Sequence, residues 1–413
     1  MTIPYVRKKW GMQSICLFLI SSILVGCSSA KEQVVVDTSK ASWQEITGAA
    51  KGSTVSMMMW VGDPLINRYM HTYVVPSVKE RFNIDLEISA GQGGDIVSYA
   101  VTQGQTARLG EIDMVWINGE TFYQLRQLNA LHGPFTDKLP NSRFVHWENP
   151  FIGIDFQQPV EGYEAPWGNV QLSLIYNSDK VQNPPVNAMD LANFVKSNPG
   201  KFTIGTEFTG LTFLNSLFID LAGGMEAVSG DFDAMLYETY SAELWEYINE
   251  IKPYFWKQGE TFPETVAQMH QMFANTELWF SMSNNDSEVD NKVMQGLFPK
   301  SAKAYVLTSG TIQNSHYLGV LETGGNKAGA MTVINFMMSP EAQYKKMQPD
   351  VWGDGTILAM DKLPEDWKRK FENIPSRVRG LKRSDIQDKA LMEIAPEYMI
   401  RLNDDFRKFV IEN

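Results

Sequence analysis

Trp60, Trp116 and Trp167 have the most to offer a ligand, because each falls where a run of strand type ends or where the chain bends. An indole face stacks on a flat ring and attracts a cation through its quadrupole. Acids, amides and a hydroxyl stand at the same kinds of turn: Asp63 after Trp60, Asn118 and Glu120 after Trp116, Glu207 and Thr209 in Thr206-Glu207-Phe208-Thr209-Gly210, and Asn284 in Ser283-Asn284-Asn285-Asp286. Gln92 and Gly93 lie in a glycine-rich turn, Gly91 to Gly94, which lets backbone N–H groups approach a carboxylate, phosphate or polar oxygen, or is simply a turn. Aromatic walls with a few polar anchors are what a small-molecule site needs. Taken singly, each tryptophan is equally suited to a core, and the acids are equally suited to capping helices.

Reactive chemistry has no comparable carrier. The chain contains neither a Gly-x-Ser-x-Gly elbow nor a His-Glu-x-x-His pair, and His71, His132, His146, His270 and His316 are scattered. The glycine turn lacks the Gly-Lys-Ser/Thr of a phosphate loop. We therefore expect a binding protein, without catalytic residues, cofactor or metal. The rivals are an enzyme using the same cleft and a non-transport interaction lipoprotein.

These residues must be positioned by the elements around them. Val55–Trp60, Ile84–Ile88 and Ile112–Ile117 read as strands, each followed by a turn and a helix. Three such units argue for a parallel sheet whose ligand binds beyond the carboxyl ends of the strands. Pro166-Trp167-Gly168 reads as a bend, which would leave Trp167 little sheet to pack into and turn it toward a ligand. Val170–Tyr176 follows as a strand, and a helix begins near Asn187. Lys201–Gly205, Glu277–Met282 and Lys303–Thr308 are further expected strands. Helices are expected after Glu207, over 231–254, 263–273 and 326–347, around Trp367 and from Ser384 onward.

The bend, the strand ending in Tyr176-Asn177, Pro184-Pro185 and the Met189-Asp190-Leu191 helix together resemble the lobe-crossing segment of periplasmic solute-binding proteins of ABC importers, in their polyamine, iron and thiamine-type cluster. Gly110 to Trp116 is similar to a first-lobe strand of that family, and Asn326 to Met347 to its long helix. Ser309-Gly310-Thr311 stands where family members recross the hinge, without their proline. Within the family the likeness is greatest to the YnjB-type subgroup. The resemblance implies an α/β, two-lobed type II periplasmic binding protein-like fold, each lobe a mainly parallel sheet covered by helices, with hinge-crossing strands. It also implies capture of a small solute by hinge closure and delivery to a permease with its ATPase. An organic cation or thiamine-like compound suits the aromatics and acids. Ferric-binding members use paired tyrosines; Tyr237 and Tyr240 fall inside an amphipathic helix, where a core role is stronger.

Arg7-Lys8-Lys9, the apolar run Ile15–Leu24 and Leu24-Val25-Gly26-Cys27 have the order of a lipoprotein signal peptide, residues 1–26, with Cys27 as the acylated residue. Ser28 points to outer-membrane sorting, so we expect a periplasmic protein tied to the membrane by its lipid alone. Loss of the leader's three positive charges would take the net charge from −12 to −15, which disfavours nucleic acid. Cys16 and Cys27 leave no internal disulfide. Length and composition suit two domains in a monomer. The expected division is a tether over 27–52 with a short helix around Trp43 to Ile46, lobe 1 over 53–164, lobe 2 over 165–302, a return to lobe 1 over 303–348, and C-terminal helices on lobe 2 over 349–413.

Overall fold

The computed structural model describes residues 36–106 and 108–412. The signal peptide, Cys27 and Ser28 lie outside the described residues. Eleven strands follow in chain order: β1 Thr54–Met59, β2 Asp85–Ala90, β3 Met114–Ile117, β4 Ile154–Asp155, β5 Gln158–Pro159, β6 Glu164–Gln171, β7 Ser173–Asn177, β8 Phe280–Ser283, β9 Ala302–Tyr305, β10 Thr311–Val320 and β11 Ala390–Leu391.

β1 is the parallel neighbour of both β2 and β3, as three strand–turn–helix units demand. Its alternate residues Val55, Met57 and Met59 are fully buried, the period-2 signature of a strand with one face on a core. The helix Pro64–Tyr69 begins where Asp63 accepts from the Leu65 and Ile66 N–H groups. It continues through a π turn, Met70–Val74, into Val75–Phe82. Pro76, which has no N–H to donate, falls just past that turn.

The 36–52 region is more than a tether. Ser42 and Glu45 form a capping box for the helix Trp43–Ala50, and its Ile46 and Ala50 are fully buried in the lobe 1 core. Two apolar residues one turn apart, i and i+4, gave that helix a face to bury.

β10 is the strand on which the lobes are joined. It pairs antiparallel with β3 over Tyr317–Val320 and with β6 over Gln313–Gly319, and parallel with β11. Pro166-Trp167-Gly168 is therefore part of β6 and not a bend. The missing Pro166 N–H is accommodated at a register shift opposite His316 and Tyr317.

Lobe 2 holds a three-stranded sheet, β8-β7-β9, in which both pairings are antiparallel, in contrast to the parallel pairings of β2-β1-β3. Lys201–Gly205, expected as a strand, is extended but outside any ladder. Its carbonyls accept instead from the Trp256 and Trp279 N–H groups. The helix Phe208–Leu221 is buried nearly all round, including Thr212 and Ser216, whose hydroxyls donate to the Phe208 and Thr212 carbonyls one turn back.

β6 pairs with β10 in the sheet that also holds β3, and the next strand, β7, pairs with β8 and β9. Gly310, whose φ of +99° suits glycine, precedes β10. The long 326–347 helix is two, Lys327–Met337 and Pro340–Met347, because Ser339 caps a fresh start and Pro340 interrupts the first. The C-terminal stretch also divides. Trp367 and Phe371 pack on Tyr344 in lobe 1, whereas Tyr398 of the helix Pro396–Phe406 packs on Phe218 in lobe 2.

Candidate functional site

A cavity of about 290 Å³ opens between the lobes, beyond the carboxyl ends of β1, β2 and β3. Lobe 1 lines it with Trp60, Asp63, Gln92, Gly93, Trp116 and Asn118, and lobe 2 with Glu207, Thr209 and Asn284. Those residues are brought together from turns far apart in sequence because parallel strands present their ends on one side. Val170, Asn314 and His316, from β6 and β10, close the floor.

Two expected ligand residues are elsewhere. Trp167 has no exposed surface. As Ala165 and Trp167 are two apart on β6, they share the face that packs on the lobe 1 core. The Trp167 ring supports the cavity wall from behind, 5.0 Å from Trp116, 5.2 Å from Trp352 and 5.3 Å from His316. Glu120, in the first turn of the helix Gly119–Gln127, is turned into the protein, where its charge is felt by buried Asp155. Burial pushes its carboxyl up to about 7, and Oε2 has no hydrogen-bond partner.

The sequence reading missed Trp352, Asp354, His316, His270, Glu264 and Glu288, all of which line the cavity. Trp352 and Asp354 carried a usable signal. Trp60-Val61-Gly62-Asp63 and Val351-Trp352-Gly353-Asp354 are two glycine-containing turns that each offer an indole and a carboxylate. The Trp60 and Trp116 rings meet edge to face at 6.2 Å, and Trp352 lies nearly parallel to His316 at 5.7 Å. Gly168 makes room beneath: a Cβ there would stand 1.9 Å from His316 Nε2 and 2.2 Å from Asp354 Oδ2.

The lining carboxylates are already engaged. Asp63 Oδ1 accepts from Leu65 N at 2.7 Å and Ile66 N at 3.2 Å, while Oδ2 meets Lys292 Nζ at 2.7 Å across the lobes. Glu207 caps its helix with both oxygens, through Thr209 N and Gly210 N at 2.7 and 3.3 Å, although burial pushes its pKa up. Burial would raise Asp354 too, yet buried Lys346 and His316 beside it hold its carboxyl below the usual range. Burial pushes His270 down to about 4, and the nearby Lys292 charge adds to this, so it is neutral at pH 7. His270 Nε2 lies 3.2 Å from the Met282 carbonyl. Tyr237 is core, donating to Asp405 at 2.7 Å, and no three ligating side chains form a metal group among the described residues.

Among the described residues, no lysine or arginine lines the cavity. At two of the helices that start at the cavity the first N–H groups, a natural anion site, are occupied by the protein's own acids, Asp63 and Glu207, while the starts of Gly94–Gly104 and Gly119–Gln127 carry no side-chain cap. What remains is an aromatic chamber with an excess of negative charge.

Residues 74–373 match the family model described as bacterial extracellular solute-binding protein. The chain is 34% identical over 341 residues to Protein YnjB of Escherichia coli (strain K12), covering 81% of this chain and 87% of that one. In three dimensions it is similar to the TpPotD lipoprotein of Treponema pallidum, with TM-score 0.63 and 11% identity over 87% of this chain and 100% of that one. It is also similar to a putative spermidine/putrescine ABC transporter from Listeria monocytogenes, with TM-score 0.62 and 14% identity over 87% and 99%. The matched family and the spermidine/putrescine neighbour are transport solute-binding proteins, not enzymes. With the fold, the interlobe cavity and the sequence match in agreement, the chain belongs to the bacterial extracellular solute-binding protein family.

Proposed function

We propose that the solute this extracellular binding protein carries to its ABC importer is a flat organic cation of thiamine-like kind. The observation that supports this reading is the lining: Trp60, Trp116 and Trp352 give ring faces, and Asp63, Glu207, Glu264, Glu288 and Asp354 give carboxylates with no lining lysine or arginine among the described residues. The solute reaches both lobes at once and so stabilises the closed form, which the permease and its ATPase then engage. The receptor acts as a monomer in the periplasm, held by lipid on Cys27 and sorted by Ser28 to the outer membrane. Retention of a fatty-acid label by a Cys27→Ser protein would refute the anchor.

The ligand test is direct. Protein purified without refolding is denatured and the released small molecule identified by mass spectrometry, with thiamine titrated into emptied protein by calorimetry. A cation bearing a planar ring is the expected result. Release of a sugar or an anion would refute the reading.

A further inference from the structure

We infer that Lys292 sets the charge class of the solute: it is a built-in cation that makes the cleft select a singly charged ligand over di- and polycations. The inference rests on the cationic reading above. Lys292 belongs to the lobe 2 helix Glu288–Met294, and only 5% of its side chain is exposed. Its Nζ stands 2.7 Å from Asp63 Oδ2 in lobe 1 and 3.0 Å from Glu288 Oε1 on its own helix. Two further bonds hold that helix against the opposite lobe, from Ser287 Oγ to the Gly353 carbonyl and from Asn291 Nδ2 to the Trp352 carbonyl. The ammonium is thereby fixed beside the cavity and has no room to swing out.

One ammonium facing two carboxylates leaves one negative charge uncompensated, shared between Asp63 and Glu288, whose carboxyl burial raises against the opposing pull of Lys292. Asp354 is balanced by Lys346, and Glu207 already accepts from the first turn of its helix. Glu264 is exposed and screened by solvent. Burial alone would depress Lys292, but Glu288 and Asp63 lift its pKa, so it stays charged. His270, neutral beside it, adds no positive charge. A monocation therefore completes the balance, whereas the second ammonium of a diamine would enter a cavity whose Asp63 and Glu288 carboxylates are already bonded by Lys292 from behind, and would lack a carboxylate of its own. The triad also spans the lobes, so the specificity element closes with the cleft.

Calorimetry on the full chain with benzyltrimethylammonium (one fixed charge on an aryl ring), putrescine (two) and spermidine (three) tests this. The wild type should bind the monocation at least tenfold more tightly than either amine, and Lys292→Met should move the ratio at least tenfold toward putrescine. Because removing a buried cation strains the fold, Lys292→Met/Glu288→Gln, which restores the local net charge, is measured alongside and should regain the monocation preference. Tighter spermidine than monocation binding by the wild type overturns the inference and leaves a cationic solute standing. So does an unchanged ratio in folded Lys292→Met, or a putrescine preference in the double variant. Binding of none of the three by protein that melts normally overturns the cationic reading and this inference with it.

Discussion

Around the cavity, each deeply buried carboxylate stands beside a lysine or at the start of a helix: Asp63 and Glu288 with Lys292, Asp354 with Lys346, Glu207 on the first turn of Phe208–Leu221. Behind the crossing strands, Asp155, Glu164 and Glu393 are buried with no lysine beside them among the described residues, and Glu120 is buried in the first turn of Gly119–Gln127; Asp155 and Glu393 share a hydrogen bond with each other, and both oxygens of Glu164 lack one. Arg126, whose charge reaches Glu164, is itself paired with Glu161 at 2.9 Å. Burial disfavours ionisation in both regions; what differs is the compensating charge. Lys346 and His316 hold Asp354 ionised, while burial first and neighbouring acids second raise Asp155, Glu164 and Glu393 well above the usual carboxylate range. In the cleft a cation or helix start opposes the effect of burial, most completely at Asp354, whereas in the hinge backing burial goes largely unopposed.

The contrast breaks most visibly at Lys346, which has no exposed side-chain surface. Lys346→Met leaves Asp354 buried without its cation and should cost about 3–5 kcal/mol of stability, read by denaturant unfolding. Lys346→Met combined with Asp354→Asn should recover much of that loss. If the single variant melts like the wild type, the pair is not what keeps Asp354 ionised.

pH separates the two regions next. A carboxyl whose folded pKa is raised stabilises the protein fully below its unfolded pKa, and that contribution is lost as pH climbs toward the folded value. For Glu120 the window runs from about 4.5 to about 7. The loss over that window is on the order of 2–3 kcal/mol, and Glu120→Gln should flatten the decline of melting temperature across it. Asp354 and Asp286 behave oppositely. Burial alone would raise them, but Lys346 and His316 beside the first, and Arg383 and Arg377 beside the second, hold them low. Their contribution is intact above about 3.8 and disappears as pH falls below it. An equally steep decline in Glu120→Gln would show that Glu120 is not a source of the proton uptake.

Local signals made much of this legible. Asp63-Pro64, Glu207 and Asn187 cap helices within three residues of themselves, and the alternation in β1 needs no distant partner. The turns after β1, β2 and β3 reach the cavity because strand direction alone sends them there. Other features depend on pairings between remote residues. The face that Trp167 presents is set by its register on β10 near His316, and the direction of the lobe 2 sheet by Ser173–Asn177 meeting residues 280–283 and 302–305. Lys292 looks like a surface residue of an amphipathic helix until Asp63, remote in sequence, meets it, and Lys346 until the chain folds back to bring Asp354 onto it. Trp352 sits in a short loop between helices, where periodicity carries no information.

The smallest expected effect concerns Trp60, the cavity-lining counterpart of buried Trp167. Its ring lies over Gly62, where an added Cβ would stand 2.5 Å from the indole, and its contact with Trp116 is edge to face. Gly62 on one side and Trp116 at the edge hold the ring in place without enclosing it, so Trp60 lines the cavity at the margin of the lobe 1 core. Trp60→Ala should therefore weaken binding of the cationic solute by about 1 kcal/mol, roughly fivefold, and change the melting temperature little. Calorimetry and thermal melts of the same preparation distinguish the two roles. A large fall in melting temperature with affinity intact would place Trp60 with Trp167 as packing, and the ligand wall would then rest on Trp116 and Trp352.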